Sequence, residues 1–152
     1  MIQRIQTIWL FLATLVILLL LLIPTVTKQA NGTEYWIVAT GLYQKNAQGI
    51  TKLQDFLPLI ICTIATAIIS LANIFNYTNR KLQKRIALIN VMFIVALSFW
   101  IFQSAKKIPG GLDNASYNLG AFFPLLAIIF VGLALRGINQ DEKLVRSADR
   151  LR

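Results

Sequence analysis

Phe56-Leu57-Pro58-Leu59-Ile60-Ile61-Cys62-Thr63-Ile64-Ala65-Thr66-Ala67-Ile68-Ile69-Ser70-Leu71-Ala72-Asn73-Ile74-Phe75-Asn76 contains no charged residue. At about 1.5 Å per residue a helix of this length crosses a hydrocarbon layer of roughly 30 Å. Pro58 falls near the first helical turn, where a missing N–H costs nothing. The surrounding sequence repeats the pattern. Ile5 to Ile23 is uncharged and ends at Pro24, a third run covers Ile86 to about Phe102, and a fourth runs from about Leu119 to Ile138. Pro124 is either a first-turn proline or a mild kink. A cleaved signal peptide would have an apolar region of only about 7 to 15 residues ending at small residues. Lys28 stands where a small residue is wanted, so the first run is read as a retained span. The reading is an all-α membrane protein: a four-transmembrane-helix bundle with spans at about 5–23, 56–76, 86–102 and 119–138, an outer loop at 24–55 and a basic amphipathic tail at 139–152.

Composition agrees with lipid as the main solvent. The chain has 152 residues, enough for one domain, and 57% of them are hydrophobic; its mean hydropathy is +0.65. The formal charge of +9 would suggest nucleic acid in a soluble protein, but these charges lie between the apolar runs, where topology explains them, and no nucleic-acid partner is expected. The sole cysteine, Cys62, allows no intramolecular disulfide, and the absence of histidine removes the commonest general base and metal ligand. No catalytic residue, cofactor or metal site is expected, and the chain is not read as an enzyme.

Orientation follows from the loop cations. With the amino terminus inside, Arg4, Arg80, Lys81, Lys84, Arg85, Arg136, Lys143, Arg146, Arg150 and Arg152 share one face, against Lys28, Lys45, Lys52, Lys106 and Lys107 on the other. That asymmetry places both termini on the cytoplasmic side. Trp9, Trp36 and Trp100 fall near span ends, as in an aromatic belt. Arg136 can snorkel from the inner end of the last span.

In the outer loop, Tyr35 to Tyr43 is rich in strand formers, Lys45 to Gly49 resembles a turn, and Ile50-Thr51-Lys52-Leu53 alternates. A small β-hairpin between the first two spans is expected there, packed on the helices or on a partner. Pro109-Gly110-Gly111 marks a turn in the second outer loop.

The short link at Tyr77 to Arg85 makes spans two and three an antiparallel pair. Counted from the span ends, Asn73 and Asn90 fall at nearly equal depth, so their amides are expected to bond to each other or to a facing backbone, or else to reach interfacial water. Cys62, Thr66 and Ser70 recur every four residues as a stripe of small side chains suited to close helix packing, within the chain or between subunits. A Cys62 nucleophile would need a neighbouring base, and none is in sight. In the tail, Asn139 with Glu142 resembles a capping box. Lys143, Arg146, Arg150 and Arg152 then suit docking on the membrane surface or on a cytoplasmic partner, the alternative being a solvated continuation of span four with Glu142 and Arg146 paired.

Both ends of the chain carry a resemblance: Met1-Ile2-Gln3-Arg4-Ile5-Gln6-Thr7, and Phe122-Phe123-Pro124-Leu125-Leu126-Ala127 followed by Arg136-Gly137-Ile138 and Asp141 to Arg152. These stretches resemble the bacterial family of small four-span inner-membrane proteins catalogued as domain of unknown function 4293. The likeness implies an inner-membrane location and no mechanism. The long outer segment with Trp36 before Gly41-Leu42-Tyr43 also looks like claudin-type tetraspan proteins in layout, without their paired cysteines. The expected role is a structural or accessory subunit that packs in membrane lipid with another membrane protein or with itself; the alternative is a small oligomeric transporter or channel for an uncharged or weakly selected solute.

Overall fold

The computed structural model describes residues 3–30, 32–47 and 49–149, with side chains over 5–30, 32–47 and 49–143. Helix α1 (Gln3–Leu19) is followed by strands β1 (Val26–Ala30), β2 (Thr33–Val38), β3 (Gly41–Asn46) and β4 (Gly49–Asp55). Helices α2 (Leu57–Phe75) and α3 (Arg80–Ala105) come next, then strand β5 (Ser116–Tyr117) and helix α4 (Phe123–Asp149).

The expected all-α four-transmembrane-helix bundle with a small hairpin is overturned. All five strands join one antiparallel sheet in the order β4-β3-β2-β1-β5. The segments between α1 and α2 and between α3 and α4 supply it jointly: Val26 pairs with Ile37 in β2 on one side and with Tyr117 in β5 on the other. Two-residue links join the first four strands, since Ala30 pairs with Thr33, Val38 with Gly41 and Asn46 with Gly49.

Among the described residues, three segments are long and apolar enough to cross a membrane: Leu57–Thr78, Arg80–Ala105 and Leu119–Lys143. Helix α1 is shorter, 17 residues or about 25 Å by its rise. It closes in tight bonds from Leu20 N–H to the Ile17 carbonyl and from Leu21 and Leu22 to Leu18 and Leu19, the i→i−3 pattern that tightens a last helical turn. Pro124 lies in the first turn of α4, where it needs no hydrogen-bond donor and produces no interior kink.

Small residues bring α1 against α4 in antiparallel order. The Trp9 and Phe130 rings stack at 5.8 Å, and the Gln6 amide donates to the Asp141 carboxylate. At the other end, a Cβ on Gly120 would lie 2.6 Å from the Pro24 carbonyl oxygen and 2.8 Å from that of Ile23. The segment from Gln6 to Pro24 thus covers the same depth of α4 as Gly120 to Asp141.

Two apolar clusters hold the fold. Ala13, Val16, Ile17, Ala67, Ala87, Ile94, Ala127 and Val131 meet midway along the helices. At the sheet end, Val26, Ile37, Ala39 and Leu42 pack on Leu20, Phe56, Leu59, Leu97, Ile101 and Ile108, and the Ala39 N–H donates to the Leu20 carbonyl. The sheet is therefore seated on the helix ends. Large apolar side chains such as Phe11, Ile61, Ile68, Met92, Phe99 and Ile129 point outward, an arrangement that hydrocarbon solvates and water does not.

Gly120→Ala is expected to cost about 1–3 kcal/mol, because its methyl meets backbone that cannot step aside. Gly132→Ala, whose methyl meets nothing within 4 Å, should leave stability unchanged or slightly raised. Thermal unfolding of the two variants in the same detergent checks the contrast.

Candidate functional site

The described polar side chains that are most buried run as a seam between the helices. On α2 the inward positions are Leu59, Thr63, Thr66, Ala67, Ser70 and Asn73; on α3 they begin Gln83, Ala87, Asn90, Ile94, Leu97 and Ile101. Steps alternating between three and four residues keep one face turned inward, whereas a strict step of four drifts by about 40° each time. This drift explains why Thr66 and Ser70 are fully enclosed while Cys62 is only partly buried. The inward face of α2 is the 59-63-66-70-73 row.

Hydroxyls along the seam bond to backbone. Thr63 donates to the Leu59 carbonyl at 2.7 Å and Thr66 to that of Cys62 at 2.6 Å. The Leu10 carbonyl accepts from Thr14 on its own helix at 2.9 Å and from Ser70 on α2 at 3.4 Å. The small stripe is consumed inside the chain, joining α2 to α1.

Asn73 and Asn90 do not pair. The Asn73 amide donates to the Gln83 carbonyl at 3.1 Å, and the Gln83 amide returns a bond to the Asn73 carbonyl at 3.3 Å. Helix α3 is already wound at Arg80, so Asn90 lies about 10 Å beyond Gln83 along the helix axis. Equal depth fails because the third span was counted from Ile86. Asn90 is 1% exposed, and among the described residues both its side-chain polar atoms, like the Asn73 Oδ1, have no hydrogen-bond partner.

At the end opposite the sheet a second polar group ties three helices together. Asp141, 7% exposed, accepts from Gln6, and its carbonyl accepts from Arg80 at 3.4 Å. Glu142 pairs with Lys84. Helix α4 runs unbroken through Asn139 to Asp149, so the capping-box start is not formed and the described part of the tail continues the last span. Lys143 is exposed beside Lys84, Asn139 and Glu142. Arg146 belongs to α4 with its side chain outside the described set, and Arg150 and Arg152 lie outside the described residues.

On the sheet side, Lys28 is only 8% exposed. Its ammonium donates to the carbonyls of Gly110 at 2.6 Å and Gly111 at 3.0 Å, which converge because both glycines take positive φ, +80° and +68°. Lys28 was legible only as a loop cation. At the outer edge, Lys52 pairs with Asp55 and sits over the Tyr43 ring. The Asp55 hydrogen bond raises the Lys52 ammonium above its ordinary pKa.

Gln6, Gln83 and Asp141 are the functional-looking residues that sequence reasoning missed. For Gln83 the signal was present, since it begins the 83-87-90-94-97-101 row of inward positions. Gln6 and Asp141 are brought together from opposite ends of the chain, and no local pattern marks them. Among the described residues there is no group of three or more Cys, Asp or Glu able to hold a metal ion.

These features define a class: apolar helices of membrane length, fastened internally by small and amide side chains and capped by an antiparallel sheet. The chain matches the family described as Domain of unknown function (DUF4293) over residues 2–151 and belongs to it. No curated protein matches it.

Asn73→Leu should lower stability by about 0.6 kcal/mol and at most about 2, the range for an interhelical hydrogen bond in a membrane. Asn90→Leu removes two buried atoms that make no bond, and is expected to be neutral or stabilising. The two effects should add in the double variant. Denaturant titration in mixed micelles measures all three, and a loss on Asn90→Leu equal to that of Asn73→Leu would contradict the assignment.

Proposed function

We propose that this protein is a structural or accessory subunit of a bacterial cytoplasmic membrane, packing with another membrane protein or with a second copy of itself and carrying out no catalysis. Helices α2, α3 and α4 cross the bilayer, and α1 with its closing turn lies beside α4 through the same depth. The sheet faces outward and both termini face the cytoplasm. The end opposite the sheet bears Arg80, Lys81, Lys84, Arg85, Arg136 and Lys143, the cationic excess that marks a cytoplasmic face.

The observation that carries this reading is the way the seam is filled. Thr63, Thr66 and Ser70 are at most 1% exposed, and their hydroxyls are spent on backbone carbonyls. That is the chemistry of a joint between helices rather than of a water-filled path. With the joint made internally, the outward faces of α2 and α3 and the exposed strand β4 are left for other molecules.

The alternative is a small oligomeric transporter or channel for an uncharged solute, favoured by the unpartnered Asn90 amide deep among the helices. Stopped-flow light scattering on proteoliposomes challenged with glycerol separates the two. No permeability above protein-free vesicles is expected, together with a complex in gentle detergent larger than one chain and of fixed stoichiometry. Glycerol flux that disappears in Asn90→Leu would overturn the accessory reading.

A further inference from the structure

Between α3 and α4, at the sheet end, lies a groove of about 450 Å³, within the range of small-ligand sites. Ser98 and Phe102 form one wall, Ala121 and Leu125 the other. The wall presents little polarity, because the Ser98 hydroxyl already donates to the Ile94 carbonyl at 2.7 Å. Phe102 and Leu125 are 46% and 58% exposed, so the groove opens sideways at the level of the helices. Its outer end is closed by Val26 and Tyr117, paired neighbours in β1 and β5.

Among the described residues, Lys106 is the cation at this rim. The Lys106 ammonium lies 4.9 Å from the centroid of the Phe102 ring, itself part of the wall. Lys107 turns elsewhere, over Phe56 at 5.5 Å, and Lys28 is committed to the Gly110 and Gly111 carbonyls. A groove that is apolar along its length, positive at its rim and blocked beyond it selects among occupants. A partner helix crossing the whole layer would run into the β1–β5 pair. An acyl chain ends where its headgroup begins, at the depth where the Lys106 ammonium sits.

We propose that this groove is a binding site for an anionic glycerophospholipid, with an acyl chain between α3 and α4 and its phosphate on Lys106. The inference rests on the membrane reading above and adds a specific lipid site to it. Lys106 supplies headgroup preference through charge, and the Ser98, Ala121 and Leu125 surface supplies headgroup-independent grip.

Native mass spectrometry of the full chain, released from nanodiscs of equal phosphatidylglycerol and phosphatidylethanolamine, tests it. The expected result is a retained lipid enriched in phosphatidylglycerol. Lys106→Gln should reduce that enrichment about fivefold while leaving total retention nearly unchanged. Ala121→Phe should reduce retention of both lipids, and its unfolding temperature reports whether the fold survives. Should Ala121→Phe fail to fold, Lys106→Gln alone decides, since that side chain is exposed. Equal headgroup preference in wild type and Lys106→Gln, or no retained lipid on wild type, overturns the proposal. Membrane embedding is scored separately by resistance to carbonate extraction, so an embedded chain without a selective lipid refutes this site and leaves the accessory role standing.

Discussion

Where α1 meets α2 and α4, alanine, threonine and serine stand among the larger apolar residues, and the contact is close enough for a side chain of one helix to reach the backbone of the next. Hydrocarbon gives apolar helices no reason to associate, because lipid tails solvate leucine as well as another helix does. Association must come from close approach and from polar groups that find partners. Ala13, Ala67 and Ala127 supply the approach, and the Leu10 carbonyl, accepting from both Thr14 and Ser70, supplies a polar fastening. The placement of the remaining side chains follows. Phe11, Ile61, Ile68, Met92 and Phe99 lie outside, where they meet solvent, and the inward rows of α2 and α3 carry the specificity.

The sheet solves a different problem at the helix ends. Strands leave rows of backbone donors and acceptors that need partners, and here the segments that follow α1 and α3 supply them to each other through β1 and β5. Lys28 adds a side-chain version of the same union, reaching from β1 to the loop after α3. Burying an ammonium is costly unless its protons are bonded, and two convergent carbonyls meet that requirement. The apolar underside of the sheet then closes the helix ends against Leu20, Phe56 and Ile101.

Much of this was legible in the sequence. The three long apolar helices, the first-turn role of Pro58 and the strand content of Tyr35 to Tyr43 follow from local pattern, while Pro124 was open between a first-turn position and a kink. The sheet did not, for identifiable reasons. Asn31-Gly32, between Ala30 and Thr33, is a two-residue hairpin signature, but the strand before it is largely polar. Thr27-Lys28-Gln29 looks like a polar connector because the burial of Lys28 depends on a loop more than eighty residues away. Strand β5 is two residues long and has no periodicity to detect. Asn73 was placed inside the helices by its spacing and bonds a facing backbone, one of the two expected partners; the pairing with Asn90 fails because α3 begins six residues before its apolar run.

Helix α4 spans 27 residues, about 40 Å, and nothing interrupts it between Phe123 and Asp149. It is longer than a hydrocarbon layer of roughly 30 Å is thick, and the turn before it abuts the backbone of Pro24 at Gly120. Gln6 and Arg80 hold it again at Asp141, and Lys84 holds it at Glu142. In a layer of that thickness a helix so long must either tilt or carry its last turns beyond the hydrocarbon.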